Sequence, residues 1–429
     1  MFFICSLSYA GNLKVIKTDK LINVRNGNIP LKSYIIVDQG IIQKILSFYE
    51  FSKVKSDFLN AEFIDLTGHY VLPGLVDLHS HLSLSFGTNK IDDSIEVLLK
   101  RAQENSHKTL LAGFTTVRIP GEVNIHGDVS IGQKLRKSIR SSKAIGPRIF
   151  HSGHALTMKE GHCDPVMVFR GDRTNYSLSY KHGLLEDDAN INNEAIKAVE
   201  HQKSLGADWV KVCTTAGVIS MEEEVGSQQI PTDTLKVIVD KAHKLGLKVA
   251  SHAHGTKGIR ASLQANVDTV EHASMLTESE IKVFKSQNKA LIPTIYMTDG
   301  AIDVNKLPPL LKKKALKVFK LHQASFKNAV TNDLKIAFGT DAGVYPHGNN
   351  AKEFTTMVKL GLTPLKAIQS ATIVASEVLG DSKIGMISEG SYADIIAVKA
   401  NPLKDISTLE SPVFVMKNGV VYKNAKTQN

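Results

Sequence analysis

The segment Asp77-Leu78-His79-Ser80-His81 sets two imidazoles two residues apart. Residues i and i+2 of a strand point to the same side, so His79 and His81 can grip one ion. Groups of matching chemistry end later apolar runs. Lys211 closes Gly206-Ala207-Asp208-Trp209-Val210-Lys211, His252 closes Lys248-Val249-Ala250-Ser251-His252, His272 closes Asp268-Thr269-Val270-Glu271-His272, and Asp341 follows Phe338-Gly339-Thr340. Four imidazoles, a carboxylate and an amine, each at the end of a strand-like run, point to a metal centre. His254, two residues beyond His252, can face the same side, either as a substrate contact or as support for the other histidines. His162, in a glycine-bearing loop, is either a ligand for a substrate carboxylate or a solvated loop histidine. His154, Arg118 and Tyr345 are weaker candidates. Cys213 reads as a small core thiol, since no general base accompanies it.

These residues need a scaffold that presents strand ends together. From Leu13 to Ile64 short apolar runs alternate with turn signals such as Asp38-Gln39-Gly40, the pattern of antiparallel hairpins. The pattern changes at Tyr70 to His79, an apolar run suited to a parallel strand buried on both faces. Strand-like runs recur at Thr115–Ile119, Arg148–Ser152, Trp209–Cys213, Lys248–His252, Thr269–His272, Ala290–Thr294 and Lys335–Thr340. With the run ending at His79 they make eight, separated by amphipathic segments such as Thr232–Leu245, where Leu235, Ile238, Val239 and Ala242 share a helical face. Eight alternating units predict an α/β fold, a (β/α)8 TIM barrel over residues 74–375. The chemistry would sit on its C-terminal face. Strands and turns return after Ala375. The expected division is therefore a barrel plus a small composite β-sandwich built from residues 11–73 and 376–429. Met1 to Ala10 reads either as the remnant of a secretory signal, implying a periplasmic or secreted protein, or as an apolar terminal run of a cytoplasmic one.

Composition narrows the partners. Of 429 residues, 42% are hydrophobic and 22% charged, enough apolar material for a sizeable core. A formal net charge of +10 in a chain this long fits lysines spread over the whole surface as well as one basic footprint, and no basic groove with interleaved aromatics suggests a nucleic-acid partner. The densest basic run, Leu311 to Lys320, carries helical apolar spacing and reads as a solvated helix face rather than an anion site. No stretch is long and apolar enough to span a membrane. Three cysteines, Cys5, Cys163 and Cys213, supply neither a disulfide framework nor a CxxC zinc site.

The chain resembles the amidohydrolase superfamily. The resemblance rests on His79 and His81, Lys211, His252, His272 and Asp341, on the Leu72-Pro73-Gly74-Leu75-Val76-Asp77 entry, and on the Gly390 to Pro402 tail. Within it, Ala112 to Arg118, Gly161-His162-Cys163-Asp164 and Ser251-His252-Ala253-His254-Gly255 most resemble the carboxylated-lysine Xaa-Pro dipeptidase, carboxypeptidase and ochratoxinase group. The resemblance implies two divalent ions, zinc first. His79, His81 and Asp341 would hold one, His252 and His272 the other, and Lys211, carrying carbon dioxide as a carbamate, would bridge them. It implies hydrolysis of the amide bond of a dipeptide or N-acyl amino acid by a metal-bridging hydroxide, with Asp341 as general base and then acid. It further implies a homo-oligomer. The alternative is a cyclic-amide hydrolase resembling imidazolonepropionase, whose sites usually lack the lysine. Ile119 and Ile230 stand where the group often carries an acidic and an aromatic residue.

Overall fold

The computed structural model describes residues 13–30, 32–85, 87–124, 126–169, 183–218 and 224–424. The possible signal remnant, Met1 to Ala10, lies outside the described residues.

The hairpins at both ends follow from local turn chemistry. Gln39 (φ 49°) and Gly40 (φ 78°) join the strands Ser33–Asp38 and Ile41–Ser47, and Asn418 (φ 48°) and Gly419 (φ 74°) join Phe414–Lys417 and Val420–Asn424. Two consecutive positive φ angles are what a tight two-residue hairpin requires. The two tips touch: a Cβ on Gly40 would lie 2.7 Å from the Asn418 carbonyl oxygen. Ser33–Asp38 also pairs with Lys14–Thr18, which runs parallel to Glu62–Asp65. A second sheet joins Tyr70–Pro73 to the C-terminal strands through Ile395–Val398. Ile16, Ile35, Val37 and Ile42 of the first sheet share one buried cluster with Ile395, Ala397, Phe414 and Met416 of the second.

The middle of the chain is mixed α/β with parallel sheets. Leu75–Asp77, Phe114–Ile119 and Arg148–His151 form a three-stranded parallel sheet. A six-stranded one runs in the order Leu184–Leu185, Ala155–Met158, Trp209–Cys213, Lys248–Ala253, Thr269–His272 and Ala290–Ile292. Every residue of Phe114–Ile119, Trp209–Cys213 and Thr269–His272 is buried, as expected of strands covered on both faces. Helix Thr232–Lys244 covers part of this sheet with Leu235, Ile238, Val239 and Ala242. Full burial of each larger aliphatic among them contributes about 1.5–3 kcal/mol.

Four strand expectations need correction. The Tyr70 to His79 run is not one parallel strand: Tyr70–Pro73 pairs antiparallel with Ile395–Val398, and the chain crosses to Leu75–Asp77 of the parallel sheet at Gly74, where a Cβ would lie 2.2 Å from Thr115 Oγ1. The third run, Arg148–Ser152, ends as a strand at His151, and beyond the left-handed Gly153 (φ 64°) a strand not anticipated follows: Arg148–His151 pairs with the first sheet, while Ala155–Met158 pairs with the second. Ala290–Thr294 stops at Ile292 because Pro293 has no N–H to donate and Thr294 is left-handed (φ 48°). Lys335–Thr340 is not a ladder strand. Ile336 makes a single parallel bridge to Leu291, and the Phe338 N–H turns away to the Ser370 carbonyl at 3.0 Å. Leu311 to Lys320 lies within helix Pro309–Thr331, with Leu311, Ala315 and Val318 buried. Among the described residues, no helix is long and apolar enough to cross a membrane.

Candidate functional site

The strand ends converge on a cavity of about 380 Å3, whose lining includes His79, His81, Lys211, His252, His272 and Asp341. His162 and His254 line it too. Its walls are largely apolar, with Leu84, Val168, Phe169, Met297, Val318 and Phe319 among them.

Two groups of ligand atoms lie close enough to share an ion. In one, atoms of His79, His272 and Asp341 fall within 4.8 Å of one another; in the other, atoms of His252, His254 and His272 do. Asp341 Oδ1 is 3.3 Å from His79 Nε2 and 3.2 Å from His81 Nε2. Ligand atoms ~2.05 Å from a tetrahedral zinc are separated by roughly 3.3 Å, so the Asp341 oxygen stands at coordination spacing from each of the two imidazoles, although the mutually close group around it is completed by His272 and not by His81. His272 is common to both groups, and its ring centroid lies 4.7 Å from that of His252 and 4.8 Å from that of His254. Among the described residues, the buried Nε2 atom of His252 has no hydrogen-bond partner.

The backbone makes this convergence at a cost. His272 (φ 67°), Ala273 (φ 48°), Thr294 (φ 48°) and Asp341 (φ 61°) are left-handed non-glycine residues at strand ends. Each such residue costs on the order of 1–3 kcal/mol, and such outliers collect where side-chain aim matters. Asp77 braces the Asp341 turn. It accepts hydrogen bonds from Thr340 Oγ1 at 2.6 Å and Asn350 Nδ2 at 2.8 Å, and from the His79 N–H at 3.0 Å.

Charge within the cavity follows from burial. Burial pushes the His252, His254 and His272 imidazoles well below the usual histidine range, leaving them neutral with lone pairs to give. For Asp341 burial works upward, but the adjoining His79 and His81 outweigh it and hold the carboxyl well below its ordinary range. Burial brings the Lys211 amine down to about 8 against the opposing pull of Glu271 and Asp341. Room for Lys211 comes from Gly121 (φ 89°), where a Cβ would sit 2.9 Å from Lys211 Cγ. Gly217 clears His162 in the same way, since a Cβ there would fall 2.3 Å from the imidazole.

Several residues have other roles than their sequence positions suggest. Arg118 is fully buried beneath the cavity, donating from Nη2 to both Glu271 oxygens at 2.8 and 2.9 Å and from Nη1 to Thr269 Oγ1 at 3.1 Å. Glu271 in turn accepts from His79 Nδ1 at 2.7 Å, which turns His79 Nε2 toward Asp341. Burial alone would raise the Glu271 carboxyl; Arg118 and His79 prevail and bring it to about 2. Tyr345 packs with Met297 and Ala342. Neither it nor His154 is among the cavity-lining residues. Ile119 and Ile230 are buried in separate apolar clusters. Cys213 is not a free thiol: it forms a disulfide with Cys163, the residue after His162. The acidic residue inside the buried Thr269–His272 run was the available signal for Glu271. His322, buried on helix Pro309–Thr331 and lining the cavity, carried no such signal.

The amidohydrolase family matches residues 70–423. The chain belongs to this family. A solved Xaa-Pro dipeptidase with methionine bound in its active site is 33% identical, covers 96% of this chain and 100% of its own, and superposes with a TM-score of 0.85. The ochratoxinase of Aspergillus niger is 28% identical over 376 residues, spanning 82% of this amidohydrolase and 75% of the relative. The solved A. niger ochratoxinase superposes with a TM-score of 0.83 at 25% identity, covering 96% of each chain. This amidohydrolase is thus a hydrolase of amide bonds. The family generally uses divalent metals, and the histidine cluster can bind one.

Proposed function

We propose that this amidohydrolase is a binuclear enzyme that hydrolyses the amide bond of dipeptides or N-acyl amino acids. The observation that carries the reading is the presence of Lys211 in the same cavity as four strand-end histidines and Asp341. The two sheets are taken as arcs of one (β/α)8 barrel, a closure supported by parallel bridges Glu122 to His154, Leu291 to Ile336 and Ser80 to Ala342. The donors suit two zinc ions, with His79, His81 and Asp341 for one, His252 and His272 for the other, and Lys211 as a carbamate between them. The unpartnered His252 Nε2 and the coordination spacing around Asp341 support that assignment. Bound there, the ions would supply an activated water and polarise the scissile carbonyl.

The chain's own residues do the rest. Asp341, whose Oδ1 faces His79 and His81, takes the proton of the attacking water on Oδ2 and returns it to the leaving amine. Enclosure of Lys211 favours its neutral amine, the form that combines with carbon dioxide. His162 and His254 stand beside the metal-site histidines and hold polar groups of the substrate, while the Leu84, Val168, Phe169, Met297, Val318 and Phe319 walls accept an apolar side chain. The Cys163–Cys213 disulfide supports a periplasmic or secreted location, because such bonds persist in oxidising compartments.

Metal analysis of purified protein, followed by dipeptide and N-acyl amino acid libraries assayed for released amino acid, tests the reading. Two metals per chain and loss of turnover in Lys211→Ala are expected. Less than one metal per chain, or an equally active lysine variant, would refute it.

A further inference from the structure

We infer that the Cys163–Cys213 disulfide is the positioning element for His162, so that only the cross-linked protein holds that imidazole over His252. Cys213 ends the Trp209–Cys213 strand, two residues after Lys211, and is fully buried at a position paired in register with His252. It is therefore fixed with respect to the proposed metal centre. Cys163 lies on the loop that leaves Ala155–Met158, directly after His162. Among the described residues the disulfide is the one covalent tie between this loop and the strand that carries Lys211.

Two features show that the loop conformation needs holding. Cys163 adopts φ 82°, a left-handed conformation that a residue with a side chain rarely takes without constraint. The His162 ring sits with its centroid 4.2 Å from that of His252, in space that exists only because Gly217 has no Cβ. The loop's described hydrogen bonds are lighter anchors: His162 N–H donates to Gln229 Oε1 at 3.0 Å, and Thr157 Oγ1 donates to the His162 carbonyl at 2.5 Å. Asp164 accepts from the N–H groups of Glu160 and Val166, its neighbours in the same loop. With the cross-link open, the left-handed turn at Cys163 relaxes and His162 leaves the ring of His252.

The opening reaction is thiol–disulfide exchange. Two molecules of an external thiol reduce the bond: each cysteine sulfur gains one electron and one proton, and the external thiols leave joined as their own disulfide.

The consequence for turnover rests on the function proposed above, but the placement of His162 does not, and the experiment separates the two. Alkylation of the folded protein without reductant, mapped by mass spectrometry, should leave Cys163 and Cys213 unlabelled; both should label after reduction. The His162 ring resonance, assigned in histidine-labelled protein through His162→Asn, should shift on reduction and in C163A/C213A, while that of surface His107 stays in place. With an amide substrate, reduction should lower kcat/KM of the wild type about tenfold and leave that of C163A/C213A unchanged. Adding His162→Ala to C163A/C213A should cost nothing further, because cross-link and imidazole act as one unit. A cross-link that merely stabilises the fold would give additive losses. Labelling of both cysteines without reductant, an unmoved His162 resonance, or additive losses would each overturn the inference. Absence of amide turnover would count against the proposed function alone, since labelling and resonance need no substrate.

Discussion

Replacing Glu271 by Gln tests how the protein aims His79. Glu271 and Arg118 are both fully buried, with the guanidinium nitrogen 2.8 and 2.9 Å from the two carboxylate oxygens. Removing one partner of such a pair leaves an uncompensated buried charge, typically a loss of about 3–5 kcal/mol. Removing both costs far less. Urea unfolding of metal-free protein should therefore show E271Q destabilised by about 3–5 kcal/mol and R118M/E271Q recovering most of it. Metal affinity should behave differently, because in both variants the charge-assisted bond from His79 Nδ1 to the Glu271 carboxylate becomes a weaker bond to a neutral amide oxygen. Competition against a chromogenic chelator should show both weakened about 10- to 100-fold. The pH dependence has a definite sign. The Glu271 carboxyl is held at about 2 against an ordinary 4.5, so its contribution is full above 4.5 and fades as pH falls toward 2. The stability gap between wild type and E271Q should narrow over that window. If E271Q lost less than about 1 kcal/mol and kept wild-type metal affinity, the carboxylate would not be what orients His79.

Other predictions concern space, metal and charge. Gly217→Ala puts a methyl group where the His162 ring stands, 2.3 Å away, so kcat/KM should fall about tenfold while the thermal midpoint stays nearly constant; unchanged kinetics would show that the ring position is immaterial. Chelation of the purified enzyme should abolish amide hydrolysis and lower its thermal midpoint, and added zinc should restore both in wild type but not in His252→Ala. Burial raises Glu122, which caps helix Ile131–Arg140 by accepting from Ile131 N–H and Gly132 N–H at 2.7 Å, from 4.5 to about 6. The folded protein then binds the proton more tightly than the unfolded chain, so stability should decline, by on the order of 2 kcal/mol, as pH rises through that window. In Glu122→Gln the decline should be missing from urea midpoints measured across the same range.

What could be read ahead of the structure was whatever depends on local period. His79 and His81 announce themselves because strand geometry repeats every two residues, and Lys211, His252, His272 and Asp341 because each ends an apolar run. The hairpin at Gln39-Gly40 and the buried face of Thr232–Lys244 are local in the same sense. Arg118 shows where such reasoning stops. Alternation along Phe114–Ile119 says that a side chain lies on one face of a strand, but not how high it reaches between the sheets. Below the strand ends an arginine must find a buried carboxylate; above them it would meet substrate. That height is fixed by the register of Phe114–Ile119 against its neighbours, with Arg118 opposite Phe150, and a single strand does not encode it. The disulfide depends on still longer range. Fifty residues separate Cys163 from Cys213, and their meeting is decided by how the chain leaves Ala155–Met158 after the break at Gly153. His154, directly after the break, does not line the cavity, while His162, on the loop that follows Ala155–Met158, lies over His252. Which histidine reaches the site therefore depends on two changes of direction, at Gly153 and in the loop that the Cys163–Cys213 cross-link holds, and hydrophobic periodicity registers neither.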